Sequence, residues 1–358
     1  MKPSVKTTKK GGTMNRTIGL CLLAAVQLAT THAAIGSDLG KIKHAWRKRQ
    51  SSVRTARFFM KDSTTIGKGS QSGRETRFPN FVQRNILPPK HTTKLLQRTA
   101  SFNPQNIRAT SYGQRWNAWK EGFLTLDQRK VFTPKEARTL NNWAKKEDDA
   151  YPWGVIESGA PFSCSLAMRP LILHYRPFLP IQFFRFDEYT MDKNRSIVKG
   201  RSCVVLRRDQ GLLHHSYFLD PKRAYAILRY TSTHKRREVV TFDVTYAQDK
   251  SHKPVPKSWK VVRWSDGKLM QSNIVKVLHF SLNVGRDPSE FRLEFPVGTM
   301  VLDMKRRIDF LVRKNGAERI ITRAEKNRSA TYTELLATKS GNAGLVRAKR
   351  PKKPNKRK

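Results

Sequence analysis

The sequence predicts a mainly β, α+β fold, with an antiparallel sheet covered by helices between a disordered basic N-terminal arm and a disordered basic C-terminal tail. Three observations carry this. Beyond Pro161, apolar and polar residues alternate with a period of two through short β-branched and aromatic runs; turn residues separate those runs; and a helix signature precedes them at Thr133.

The runs SLAMRPLILHY, QFFRFDEYT, SIVKGRSCVVLRR, HSYFLD, RAYAILRYT, EVVTFDVTYAQ, SWKVVRW and SNIVKVLHFSLNV read as strands. Asp266-Gly267 and Asn315-Gly316 supply the positive φ of two-residue hairpin turns, and Asp220-Pro221 marks a third turn. In EVVTFDVTYAQ the set Val240, Phe242, Val244 and Tyr246 opposes Thr241, Asp243 and Thr245. In NIVKVLHFSLNV, Leu278, Phe280 and Leu282 oppose Val277, His279 and Ser281. One face is therefore apolar and needs a cover.

Helices within 116–150 are the expected cover. Trp116, Trp119, Phe123 and Leu124 share a helical face at i, i+3, i+7 and i+8. Thr133 reads as an N-cap with Pro134 at the first helical position and Glu136 three residues on, completing a capping box, and Leu140, Trp143 and Ala144 continue an apolar stripe up to Pro152.

The formal net charge is +44, from 71 Lys+Arg against 27 Asp+Glu, a field that attracts polyanions of any kind. About two thirds of the excess lies outside 131–330. Residues 1–33 read as an export signal: Lys2, Lys6, Lys9, Lys10 and Arg16 precede the uncharged run Thr17–Ala29, with Thr31 and Ala33 as small residues before a cleavage point and Met14 as an alternative start. A mitochondrial transit peptide is the alternative, favoured by the Arg/Ser-rich stretch that follows. Residues 34–114 lack a sustained period and read as a flexible basic arm, 115–330 as the folded domain, and 331–358 as a disordered tail. Arg47, Lys48 and Arg49 in the arm and Arg350, Lys352 and Lys353 in the tail are the candidates for polyanion contact. Cys164 and Cys203 remain after signal removal and can either pair in an oxidising compartment or sit as small core residues.

Catalytic patterns are not found. No Gly-x-Ser-x-Gly elbow, phosphate-cradling glycine loop, zinc-type cysteine spacing or calcium loop occurs; His214 and His215 read as polar strand residues and Glu147-Asp148-Asp149 as an acidic turn. No cofactor and no metal are expected. The aromatic set over successive strands, including Phe242, Tyr246, Trp259 and Phe280, forms either a packed core or the wall of an apolar cavity.

The succession GRSCVVLRRD, HSYFLDPKRAYAILRY, VPKSWKVVRWSDGKL and SEFRLEFPVGTMVLDMKRRIDFLVRKNGAERIITRAE resembles exported bacterial proteins with an outer-membrane lipoprotein-carrier (LolA-like) fold over about residues 160–326. Its most specific pieces are Leu219-Asp220-Pro221 with Arg223 and Tyr225, and Phe295-Pro296-Val297-Gly298-Thr299 with Val301 and Asp303. The resemblance implies a strongly curved antiparallel sheet, a half-open barrel closed by helices, whose concave apolar face holds acyl chains in the carriers. The expectation is a non-catalytic, periplasmic or secreted envelope protein that binds a lipid, lipoprotein or protein partner. Phe242, Val244, Tyr246, Leu278 and Phe280 are the candidate apolar contacts, and the basic extensions rest on an anionic surface. The alternative is a nucleic-acid-associated structural protein, such as an organellar ribosomal subunit.

Overall fold

In a computed structural model of the chain, the described residues are 38–68, 77–78, 81–82, 92–117, 122–143, 151–158, 165–180, 184–235, 237–248, 253–285, 287–328 and 330–338. Among the described residues, seventeen strands join in one open, curved sheet, mainly antiparallel; β2 (Arg77–Phe78) and β3 (Phe81–Val82) form a separate ribbon.

The seam of the sheet is β1 (Ala56–Ile66), which pairs antiparallel with β16 (Lys268–Leu282) on one side and β4 (Thr92–Phe102) on the other. From β4 the sheet meanders through β5 (Ile107–Asn117), β6 (Gly122–Phe132), β7 (Glu136–Trp143) and β8 (Trp153–Ser158). From β16 it runs back along the chain through β15 (Pro254–Ser265), β14 (Arg237–Gln248), β13 (Ala226–His234), β12 (Leu213–Asp220) and β11 (Arg201–Gln210). The short β9 (Thr190–Met191) and β10 (Ser196–Val198) lie against β11. At the other margin β8 pairs parallel with β17 (Met300–Asp303), which continues into β18 (Ile308–Val312) and β19 (Glu318–Ile320).

Period-two alternation builds one shared interior. Ala56, Phe58 and Met60 of β1 meet Ala100 and Phe102 of β4, Phe242 and Val244 of β14, and Trp259 and Val261 of β15 in a single core. Two helices cover it. Helix α1 (38–52) turns Leu39, Ile42, Trp46 and Arg49 inward, while Lys41, His44, Arg47 and Lys48 stay in solvent. Burying Trp46 alone removes about 200 Å² from water, on the order of 5 kcal/mol before entropy is counted. Helix α2 (Arg169–Tyr175), with Pro170 in its first turn, buries six of its seven residues. A 3-10 turn, Leu166–Met168, leads into it, and its Ala167 carbonyl accepts the Trp259 indole proton at 2.6 Å.

Several expectations change. The arm is not wholly flexible: α1, β1, β4 and β5 all fall within 34–114 or reach into it, and β1 is central to the sheet. SLAMRPLILHY is the 3-10 turn and α2 instead of a strand: every residue from Pro170 to Tyr175 is buried, and Pro170 cannot donate to a ladder. The segment from Thr133 is a hairpin, not a helix. Thr133 Oγ1 accepts from the Glu136 amide at 3.2 Å, as an N-cap would, but the Thr133 amide bonds Glu136 O at 2.9 Å and closes the β6–β7 turn. The Trp116 to Leu124 spacing likewise spans the β5–β6 hairpin, in which Trp116 pairs with Phe123.

The margin has its own cores. Val131 and Leu140 on the outer face of β6 and β7 pack under Phe291, Leu293 and Phe295 of a strap that follows β16. Helices α3 (Arg323–Asn327) and α4 (Tyr332–Ala337) start with complete capping boxes at Thr322–Glu325 and Thr331–Glu334. Leu335 joins Tyr151, Met300 and Leu311, and Tyr332 stacks on Tyr151 at 4.6 Å, so structure continues to residue 338 and the expected tail is shorter. Arg350, Lys352 and Lys353 lie outside the described residues.

Candidate ligand groove

Helix α1 passes into β1 through Val53-Arg54-Thr55, and this joint is clasped on several sides. Asn283, at φ 57°, accepts the Arg54 amide at 2.8 Å and donates to Ser52 O at 2.9 Å; Thr55 Oγ1 donates to Val284 O at 2.6 Å. The fully buried Arg176 donates to three carbonyls, those of Arg54 at 2.8 Å, Asn103 at 2.9 Å and Tyr175 at 2.7 Å. Burial pulls its guanidinium down to about 10, which leaves it charged at neutral pH.

Two hollows of about 470 and 280 Å³ flank this joint and share Ser51 and Arg54. Arg47, Gln50 and Pro104 complete the larger; Thr55, Asn283 and Val284 contribute to the smaller. Arg47 and Arg54 make the wall of the larger hollow cationic, while the Gln50 Oε1 atom is buried behind it without a hydrogen-bond partner among the described residues. Three residues from Asn283 along β16, roughly 10 Å away, Phe280 stacks on Phe58 with ring centroids 6.1 Å apart and stays 40% exposed. Phe58 also meets Tyr175 at 5.3 Å and Phe102 at 6.2 Å. The arginine-lined hollows thus lie a few residues along the chain from the exposed edge of an aromatic cluster.

Deeper in the interior the floor is filled. Trp46, Phe184, Tyr217, Tyr230 and Phe242 follow one another with centroids 4.6 to 5.7 Å apart. Toward the other end of β1 the inner face is polar. Asp62 and Arg98 form a buried ion pair at 2.6 Å, and Asn273 donates to both Asp62 oxygens at 3.0 Å and to Thr64 at 2.7 Å. A buried pair satisfied in this way fixes strand register more than it adds stability.

The candidate apolar contacts separate in space. Phe242 and Val244 are fully buried, and Tyr246, half-buried, donates to Ile227 O at 3.0 Å. Phe280 reaches the inner face, but Leu278 does not. A bulge opposite Phe59/Met60 leaves Leu278 unpaired between Val277 and His279 and turns it outward, where it is exposed, so a strict period of two fails there. Among the candidate polyanion contacts, Lys48 is exposed on α1 and Arg47 lies over the Phe178 ring at 5.6 Å. Arg49 is buried: its Nε donates to His174 O at 2.8 Å and Nη1 to Ala224 O at 3.1 Å, so it ties α1 to the fold and does not face a polyanion. Cys203 is buried against Val198 and Leu228, while Cys164 lies outside the described residues, as do Glu147-Asp148-Asp149. His214 bonds Asp209 at 2.6 Å and His215 bonds Tyr230 at 2.9 Å. Among the described residues no three His, Cys, Asp or Glu side chains gather as a metal site, and no helix is long and apolar enough to cross a membrane.

Sequence reading missed Trp46, Gln50, Arg54, Arg176 and Asn283. A signal existed only for the helix, whose inward stripe Leu39, Ile42 and Trp46 is masked by the density of Lys and Arg around it.

No protein-family profile matches the chain, and no curated protein matches it. Solved structures that match include a domain described as an outer-membrane lipoprotein-sorting protein from Vibrio parahaemolyticus (11% identity, 70% of this chain and 94% of that one, TM-score 0.39). They also include a DUF1329 family protein from Desulfovibrio piger (11%, 72% and 97%, 0.44) and a LolA superfamily protein from Nitrosomonas europaea (7%, 70% and 97%, 0.35). The likeness is one of fold. With every score below 0.5, what the chain does is read from its own geometry.

Proposed function

We propose that this chain is an exported, non-catalytic cell-envelope protein that binds an amphiphile, either a lipid or the acylated end of a lipoprotein, at the open end of its curved sheet. The observation that supports this is the junction of two chemistries: the Arg47/Arg54 groove and, a few residues along the chain, the half-exposed Phe280 on Phe58. An anionic head fits the arginines and an apolar chain fits the aromatic end. The periplasm or the extracellular space is the compartment that suits this reading, and the basic extensions add attraction to anionic surfaces. The nucleic-acid alternative is weakened by the burial of Arg49, one of its proposed contacts.

The test is native purification of the full chain followed by organic extraction and mass spectrometry of what copurifies. Wild type should carry an anionic amphiphile, and Arg54→Glu and Phe280→Asp should each lower its occupancy at least fivefold without changing Tm by more than a few degrees. An empty wild-type protein, or one that binds RNA with an affinity no variant alters, would overturn the reading.

A further inference from the structure

The outer face of the sheet at its seam is unusual in what it leaves in water. Five large apolar side chains, Phe59 of β1, Leu95 of β4, Tyr112 of β5 and Ile274 and Leu278 of β16, project from four adjacent strands with 39 to 57% of their surface exposed. Register places them together. Ser63 of β1 lies between Leu95 and Ile274, Gln97 lies between Lys61 and Tyr112, and the bulge at Phe59/Met60 turns Leu278 to the same side as Phe59. An outer sheet face normally alternates to polar residues, and a contiguous apolar patch on it marks a contact surface.

The charges between these residues all have one sign. Lys61 and Lys276 are direct cross-strand partners on this face, an arrangement that repels, and Lys260 faces Ile274 on the next strand. All three are exposed, and none forms an ion pair among the described residues. Two carboxylates on neighbouring strands bond arginines: Asp243, across from Lys260, accepts Arg229 at 2.8 Å and Asp127, across from Tyr112, accepts Arg129 at 2.7 Å. Paired lysines facing each other among exposed aliphatic and aromatic side chains are relieved when a layer of anions lies over them.

We propose that the convex seam is a docking face for an anionic lipid bilayer, with the lysines meeting head groups and the apolar side chains resting at the level below them. Charge complementarity selects a lipid surface: none of the three lysines forms an ion pair among the described residues, and the apolar residues between them suit an interface with both wet and oily layers. The face lies on the opposite side of the sheet from Phe280, so a docked molecule keeps its groove free.

The experiment compares full-length variants by cosedimentation with vesicles of phosphatidylcholine alone or with about a third phosphatidylglycerol, at low and high salt. Wild type should bind the anionic vesicles and release with salt. Lys61→Glu/Lys276→Glu and Leu95→Ser/Leu278→Ser should each weaken that binding at least tenfold with circular dichroism and Tm unchanged, and the amphiphile occupancy of the groove should not move. A Lys193→Glu control, at an exposed position between β9 and β10, should change binding less than twofold. Equal binding by all variants would show that other segments hold the membrane and would overturn the proposal. Vesicle binding that persists while the same variants lose a protein partner would overturn it too. Loss of binding with Phe280→Asp instead would assign the membrane contact to the groove.

Discussion

At the scale of single residues, the consequential groups are cations and a histidine taken out of water. Arg176 satisfies three carbonyls from three different segments. Arg176→Met leaves those acceptors unpaired, each worth about 1–3 kcal/mol, so the variant should unfold at least about 3 kcal/mol more easily in denaturant. A smaller change would mean that solvent reaches the joint. His174 is buried, its Nε2 facing Pro254 O at 3.0 Å, and burial followed by the nearby Arg49 charge holds its pKa well below 6.5. The fold therefore keeps it neutral while the unfolded chain protonates. Its contribution to stability is complete above pH 6.5 and declines as pH falls below that value, by up to about 1.4 kcal/mol per pH unit. Denaturation curves between pH 7.5 and 5 should show a component of slope that His174→Gln lacks; parallel curves for the two proteins would refute it.

At the scale of elements, the instructive case is a motif that works in two places and fails in a third. Thr-x-x-Glu starts α3 at Thr322 and α4 at Thr331, yet at Thr133 it closes a hairpin. The local hydrogen bond from the third residue to the threonine oxygen is the same each time. What differs is the flank: Phe132 and Ala137 on either side of Thr133 both enter the main core, which requires two strands. Close approach decides another element. The Cβ of a larger residue at Gly154 on β8 would lie 2.4 Å from the Phe295 ring of the outer strap. Gly154→Val should displace Phe295, cost about 1–3 kcal/mol by overpacking, and expose the 287–297 strap to limited proteolysis. A variant as resistant as wild type would show that the strap is not held by this contact.

At the scale of the whole molecule, the sequence determined the hydrogen-bonded hairpins that close over a few residues. Asp266 and Gly267, at φ 50° and 74°, and Asn315 and Gly316, at 58° and 71°, adopt the turns their chemistry demands, and Val240 to Tyr246 alternate as written. These features depend on neighbours along the chain, so composition and period reveal them. Tertiary structure alone decided that β1, from a stretch dense in Lys and Arg, is the seam between β4 and β16, since its partners lie more than 200 residues apart in sequence along the β16 side. It also decided that a single bulge sends Leu278 outward and Phe280 inward, which separates the proposed membrane face from the ligand groove. Arg54, Gln50 and Asn283 look like ordinary surface residues in isolation. They become a site only because helix α1, the β4–β5 turn and the end of β16 converge there, and convergence of distant segments is set by how the interior packs and not by any local pattern.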